Sequence, residues 1–504
     1  MSFFTDVYYD KGQLYIRGYS GSEPIQQIST GTELNLKLWV DSLESNSSYK
    51  SFFNTSLKEV SFSSFNELHS FIKSSPDINQ TNIHGNFRLE NRYITETQFY
   101  TDPDISQIHI GICDIETTSL NGFPKVSDPQ EEVIICSIWS SKTQIITSFC
   151  LAVDRLDSVE WGDKVSLVIC QTEKELLQRV LNFFAEQKFD VISAWNGDIF
   201  DYPYLYYRSK KVLSERQSQL FSVWQKVMER TITINGKQYP GVEFIGTPCL
   251  DYLTLYKKFV LIRRESYKLD NIAEVELGER KLEYSEYNSL QEFWEKDPIK
   301  FYQYNIQDVK LVVALDNKLK LFDLVFTLAY IAKTNFLDIY SPVKTWEALC
   351  YNYLWEHNKV IPPMGHFEKD ESFTGAYVKT PRPGLYTDIV SFDITSLYPS
   401  LIRMLNISPE TLRKFPDEYS NIDFLENLLS DIGPSEKVKT LIKELLPSYN
   451  ATLAINKQCY TKDYPGMFPE IMQLLFDRRA QAKKEKIRCE QELEQLKELA
   501  KQQQ

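Results

Sequence analysis

The chain has 504 residues, too many for one ordinary core, so two to four domains are expected. Its formal net charge of -13 excludes nonspecific nucleic-acid binding over the whole surface, although a local basic channel beside acidic sites stays open. Hydrophobic residues at 42% and aromatic residues at 13% suit folded, well-packed domains, with base stacking as a second use for the aromatic load.

Residues 1–105 carry short strand patterns, Asp6-Val-Tyr-Tyr and Gln13-Leu-Tyr-Ile-Arg-Gly, between Ser- and Asn-rich turns. They read as a mostly β N-terminal domain without a chemical motif, a scaffold first and a single-strand contact second. From Ile108 the pattern changes. Ile108–Glu116 is a strand, Val133–Trp139 its hairpin or sheet neighbour, Glu173–Glu186 a helix and Phe189–Trp195 another strand. Alternating strands and helices predict an α/β domain over 106–325. Inside it, Arg230–Tyr239 alternates about Asn235-Gly236, which signals a β-hairpin.

Residues 326–375 begin helical and pass through Val360-Ile-Pro-Pro, a rigid connector. A further domain over 376–468 opens near Gly375, with a strand Thr387–Asp393, a helix from about Pro399, and helices with loops over 421–447. After Pro469 there is neither Gly nor Pro, so 469–504 reads as one long helix. Its Leu493, Leu496 and Ala500 have three-four spacing, as for a helix that packs on a partner, with a free, salt-bridge-laced helix or a frayed tail as the alternatives. The eight cysteines form no C-x-x-C pair and read as reduced cytosolic thiols. With no apolar targeting or membrane-length segment, a soluble intracellular protein is expected.

Asp114 and Glu116 lie two apart on a strand and so share one face, at the strand's C-terminal end. Such carboxylates repel unless a cation lies between them, and hard oxygen ligands suit Mg²⁺ or Mn²⁺. Asp201 follows a strand in Trp195-Asn-Gly-Asp-Ile-Phe-Asp-Tyr-Pro-Tyr. Asp308 lies on a helix with Tyr304 one turn earlier, on the same face. Four carboxylates suffice for two ions, one to activate water and one to stabilise a leaving 3′-oxygen. Tyr304 would orient or help deprotonate that water, and Asn196 would contact a substrate strand or serve as a structural hydrogen-bonding residue. Asp198 is acidic as well, but is assigned no metal.

The D-I-E-T run, W-N-x-x-x-F-D-x-P-Y and Y-x-x-x-D, in that order before D-x-x-S-L-Y-P-S, resemble the motifs of family B DNA polymerases. Leu250–Phe259, Ser341–Trp346, Lys359–Pro362, Gly375–Lys379 and Asn406–Glu410 are similar to stretches in those of T-even-like bacteriophages. The resemblance implies an RNase H-like 3′–5′ exonuclease domain, a partial polymerase palm and the first fingers helix, within an α/β multidomain chain. It implies exonuclease roles for Asp114, Glu116, Asp201, Tyr304 and Asp308, two ions per active site, and a segment 326–375 that returns to complete the N-terminal domain. The hairpin near 231–245 would match one that moves a mismatched primer end, a plain surface hairpin being its rival.

The same resemblance makes Asp393, in Ser391-Phe-Asp-Ile-Thr-Ser-Leu-Tyr-Pro-Ser400, a ligand to both polymerase metals. Backbone at Ser396 and Leu397 would meet phosphate oxygens, and Tyr398 would select against a 2′-hydroxyl. Arg479 and Lys483, four apart in F-x-x-R-x-x-x-K, would clamp a triphosphate, their alternative being a solvated basic face. The family continues through a second fingers helix with Asn-Ser-x-Tyr-Gly, an Asp-Thr-Asp palm hairpin and a thumb, none of which occurs here. A phage-encoded subunit of a split polymerase in the host cytoplasm is therefore expected, with a second polypeptide supplying the rest. Its partners would be primer-template and single-stranded DNA, a deoxynucleoside triphosphate, a sliding clamp and a single-stranded DNA-binding protein. The alternatives are a truncated gene product, a stand-alone exonuclease with a vestigial palm, and a DNA-binding module without chemistry.

Overall fold

The computed structural model describes residues 2–502 apart from 32–35, 43–46, 75–82, 98–102, 155, 157–158, 235, 364–379, 415–434, 441–442, 445, 449, 455 and 457. The chain divides into two compact units. One takes in 1–38, 60–77 and 86–352; the other takes in 39–59, 78–85 and 353–504.

The first unit begins with an antiparallel meander of Ser2–Asp10, Gln13–Ser20 and Glu23–Ser29. Its first turn holds just Lys11 and Gly12, both at positive φ, the two-residue geometry whose twist matches that of the flanking strands. A five-stranded sheet follows. Its strand Ile110–Thr117 runs antiparallel to the central strand, Val133–Ser140, and parallel to the edge strand Val191–Ser193, and Ile146–Leu151 and Val165–Cys170 extend the sheet beyond Val133–Ser140.

A helix covers each face of this sheet. Glu173–Gln187, capped by the Thr172 side chain, buries Leu176, Leu177, Val180, Leu181 and Phe184 in one core with Cys113 and Ile115. The alternation of Ile110–Thr117 turns Asp114 and Glu116 the other way. There the 22-residue helix Pro298–Leu319 packs, with Pro298 in its first turn and Asp297 as its cap. Phe301, Tyr302 and Tyr304 build a second core with Ile134, Ile135 and Cys150.

Asp190 ties meander to sheet. Buried, it pairs with Arg17 (3.0 Å) and accepts from Tyr19 Oη (2.6 Å), Thr5 Oγ1 (3.2 Å) and the His109 N–H (2.9 Å). A buried carboxylate with this many donors is compensated for its lost hydration. The Val227–Ile234 and Lys237–Phe244 strands form the expected hairpin. Asn235 of its turn lies outside the described residues, and Gly236 has φ +76°.

In the second unit, Trp39, Leu57 and Val360 cluster with Tyr49 and Trp355, and Lys359–Val360 pairs in parallel with Lys50–Ser51. Leu397–Leu405 and Met467–Gln502 are helices, and Cys459–Thr461 is the middle strand of a three-stranded sheet with Leu412–Arg413 and Ala451–Leu453. Gly375–Lys379 and most of 421–447 lie outside the described residues.

One expectation is overturned. Thr387–Asp393 is not a strand, and Ile389, Val390 and Phe392 are exposed. A strand exists only where its backbone groups find a ladder, and among the described residues none runs alongside this segment. No disulfide joins any of the eight cysteines. Among the described residues, no helix is long and apolar enough to cross a membrane.

Candidate active site

Asp114, Glu116 and Asp308 converge, each offering a carboxylate oxygen within 4.8 Å of the others. The strand Ile110–Thr117 supplies the first two from alternate positions, and the helix Pro298–Leu319 supplies Asp308 from the layer above. This carboxylate cluster can coordinate a divalent metal ion. Asp201 begins the helix Asp201–Val212, is buried, and accepts the Ile115 N–H at Oδ1 (3.3 Å). It therefore braces the strand between Asp114 and Glu116 and stands outside the three-carboxylate group.

The buried acids repel one another. Burial, then repulsion from Asp308, Asp201 and Glu116, lifts Asp114 well above the carboxylate range. Burial and Asp308 push Glu116 up to about 8, burial pushes Asp201 up to about 7, and burial pushes Asp308 up to about 6. So many acids remain ionised together only beside a cation. Among the described residues the buried Oδ1 of Asp308 has no hydrogen-bond partner, a hard oxygen donor suited to such an ion. The donor set fits Mg²⁺ or Mn²⁺.

Two residues that the sequence did not single out complete the site. Lys281 pairs with Asp308 and donates to Tyr304 Oη (3.2 Å), so an ammonium already answers part of the negative charge. Asn305 donates from Nδ2 to Asp114 Oδ2 (2.7 Å) and fixes that carboxylate. Asn305 is three residues before Asp308 and shares its helix face, a signal present in the spacing. Lys281 lies in a segment without periodicity and had none.

A cleft of about 1020 Å³ opens from Asp114, Tyr304 and Asp308, and Asn196 and Trp195 line it. Asn196 has φ +73° in the turn ahead of Asp201. Asp198 lies apart, facing Arg230 at 3.7 Å.

The other singled-out residues occupy the second unit. Asp393 is exposed in an irregular segment, and Ser396, with φ +52°, precedes the helix that Leu397 and Tyr398 begin. Arg479 donates from Nη1 to Ser396 Oγ (3.3 Å), which brings the long helix to this turn. Phe476 receives the Arg403 guanidinium at 4.7 Å from its ring centre. Lys483 is exposed and makes no ion pair among the described residues. No carboxylate cluster forms around Asp393 among them.

Comparison with known proteins agrees with this division. Residues 69–272 match the family model for "DNA polymerase family B, exonuclease domain", and residues 348–504 match that for "DNA polymerase family B". The chain is 31% identical to the DNA-directed DNA polymerase of Escherichia phage RB69 over 413 residues, covering 78% of this chain and 44% of the relative. Identity to that of Enterobacteria phage T4 is 30% over 466 residues, 87% of this chain and 49% of the relative. A DNA polymerase of Thermococcus gorgonarius is 27% identical over 326 residues, 63% of this chain and 37% of the relative. The chain thus spans less than half the length of these relatives. It is a family B DNA polymerase-related protein, similar to phage and archaeal members over part of their length, with an exonuclease domain ahead of part of a polymerase domain.

Proposed function

We propose that the first unit is a divalent-metal-dependent 3′–5′ DNA exonuclease and that the second carries part of a nucleotidyl-transfer site. The observation that carries the reading is the convergence of Asp114, Glu116 and Asp308 at the head of an open cleft. In this reading those three, joined by Asp201, hold two Mg²⁺ ions. Bound there, the ions supply an activated water and charge neutralisation at the leaving 3′-oxygen.

The chain's own residues do the rest. Asn305 keeps Asp114 in one rotamer, and Asp201 holds the strand that bears both neighbouring acids. Tyr304, whose phenol burial and Asp308 keep protonated, orients the water by hydrogen bonding. Asn196 meets the substrate strand. In the second unit, Asp393, Ser396, Leu397, Tyr398, Arg479 and Lys483 belong to the transfer site, supported by the approach of Arg479 to Ser396.

The wider assignments follow the relatives. We read 1–105 as the N-terminal domain, 106–325 as the exonuclease, 326–375 as the return segment that completes the N-terminal domain, 376–468 as partial palm and 469–504 as the first fingers helix. Primer-template DNA, deoxynucleoside triphosphates, a second polypeptide carrying the remaining fingers, palm and thumb, a sliding clamp and a single-stranded DNA-binding protein are the partners, in a host cytoplasm. An end-labelled single strand incubated with the protein and Mg²⁺ tests the nuclease. Hydrolysis from the 3′ end is expected, and Asp114→Ala with Glu116→Ala lowers it by about a thousandfold, the scale of several kcal/mol. Undiminished hydrolysis by that variant overturns the metal assignment.

A further inference from the structure

The loop joining the helices Tyr252–Phe259 and Leu269–Leu277 starts and ends at the cleft, since Lys257, Tyr267 and Lys268 all line it. Its base is firmly held. Arg264 donates from Nε to Tyr256 Oη (3.0 Å) and from Nη2 to Glu276 (2.6 Å), and Asn271 Nδ2 donates to the Ser266 carbonyl (2.8 Å). Trp195 Nε1 donates to the Tyr267 carbonyl (3.2 Å).

Its tip is bare. Leu261 is 92% exposed and Ile262 is 63% exposed, two large aliphatic side chains left in water side by side. Lys257, Arg263 and Lys268 around them form no salt bridge among the described residues, although Lys257 lies over the Tyr267 ring. Lys257 and Lys268 at the cleft edge and Arg263 on the adjoining loop, cations without a carboxylate partner among the described residues of an acidic chain, complement phosphates. An apolar pair flanked by phosphate-seeking cations is the composition of a side-chain wedge at a base step.

We propose that Leu261 and Ile262 form a strand-separating wedge, packing on the last base pair of a DNA duplex where one strand turns into the cleft, with Arg263 and Lys268 on that strand's phosphates. The inference rests on the nuclease reading above. A paired end must unstack before it can reach the carboxylates, and aliphatic contact offsets the stacking that is lost. Leu261 and Ile262 touch neither the metal ligands nor the reacting phosphate in this scheme. They are positioning residues.

The test compares the full chain with Leu261→Ser/Ile262→Ser on a single strand and on a fully paired duplex with the same 3′ end. The variant is expected to hydrolyse the single strand within about twofold of the unaltered protein and the paired end about tenfold more slowly, whereas Leu261→Phe, which keeps an apolar tip, retains the paired-end rate. Equal loss on both substrates, or none on the paired end, overturns the proposal. A duplex bearing 2-aminopurine at its 3′ end, bound in Ca²⁺, reads unstacking without hydrolysis. Its fluorescence rises with the unaltered protein and not with the double variant. If the unaltered protein hydrolyses nothing in Mg²⁺, the nuclease reading fails, and the fluorescence alone decides the wedge: no rise, or an equal rise with the variant, overturns it.

Discussion

Lys281 holds a position that neither strand alternation nor helix spacing marks, yet it offsets much of the repulsion among the acids. An ammonium and a divalent ion compete for Asp308. Lys281→Met is therefore expected to lower the melting temperature in chelator and to enlarge the rise produced by saturating Mg²⁺. A tighter site gains about 2.7 kcal/mol when the ion stands at a hundred times its dissociation constant. Melting curves with and without Mg²⁺ measure both effects, and an unchanged Mg²⁺ increment counts against the competition. His109 offers a second residue-scale test. Burial, aided by Lys142, lowers it to about 4, and its ring lies between Ser140 Oγ (2.8 Å) and the Gln187 carbonyl (3.0 Å). The folded state therefore binds fewer protons than the unfolded chain between pH 4 and the ordinary value near 6.5. Its contribution is complete above that window and is lost as pH falls through it, by at most about 1.4 kcal/mol per pH unit. His109→Gln should flatten the acid limb of a melting-temperature profile. Asp114, Glu116 and Asp308 were legible because period two and period four put them on defined faces. The Lys281 contact was not legible, since a loop residue's partner is set by the whole tertiary arrangement.

At the scale of elements, the strand Ile110–Thr117 has one crowded face and one acidic face. A Cβ on Gly111 would fall 2.9 Å from the Phe189 ring, on the face that carries Cys113 and Ile115. Gly111→Val should cost about 1–3 kcal/mol through overpacking, seen as a lower melting temperature, while Mg²⁺-dependent hydrolysis survives at low temperature because the acids face the other way. Loss of hydrolysis in a still-folded variant would show that the two faces are not independent. The strands and helices of this region follow their sequence patterns closely: Glu173–Gln187 and the hairpin about Gly236 each have a local cause in a cap or a turn. Thr387–Asp393 has the right composition and no ladder. A strand, unlike a helix, takes its hydrogen bonds from elsewhere in the chain, so composition alone could not decide it.

At the scale of the whole molecule, the two units stand at different stages of chemical completeness. The first gathers three carboxylates at one point, whereas Asp393 stands without a neighbouring acid cluster among the described residues. Transfer of a nucleotide needs a held pair of ions. The chain by itself is therefore expected to degrade DNA from the 3′ end and to extend no primer, and a gel assay with all four deoxynucleotides reads both at once. Template-dependent extension would require a second metal site that Asp393 and its described surroundings do not supply.

The unladdered segment also governs how the protein behaves in a tube. Ile389, Val390 and Phe392 stand between 73% and 90% exposed, β-branched and aromatic side chains on backbone that joins no ladder among the described residues. Such a stretch templates strand addition from any chain that reaches it. Concentrating the isolated protein would then bring self-association through this stretch. A peptide strand that completes the ladder would act as its solubiliser, so that colloidal stability becomes a sensor for whatever normally lies beside Asp393.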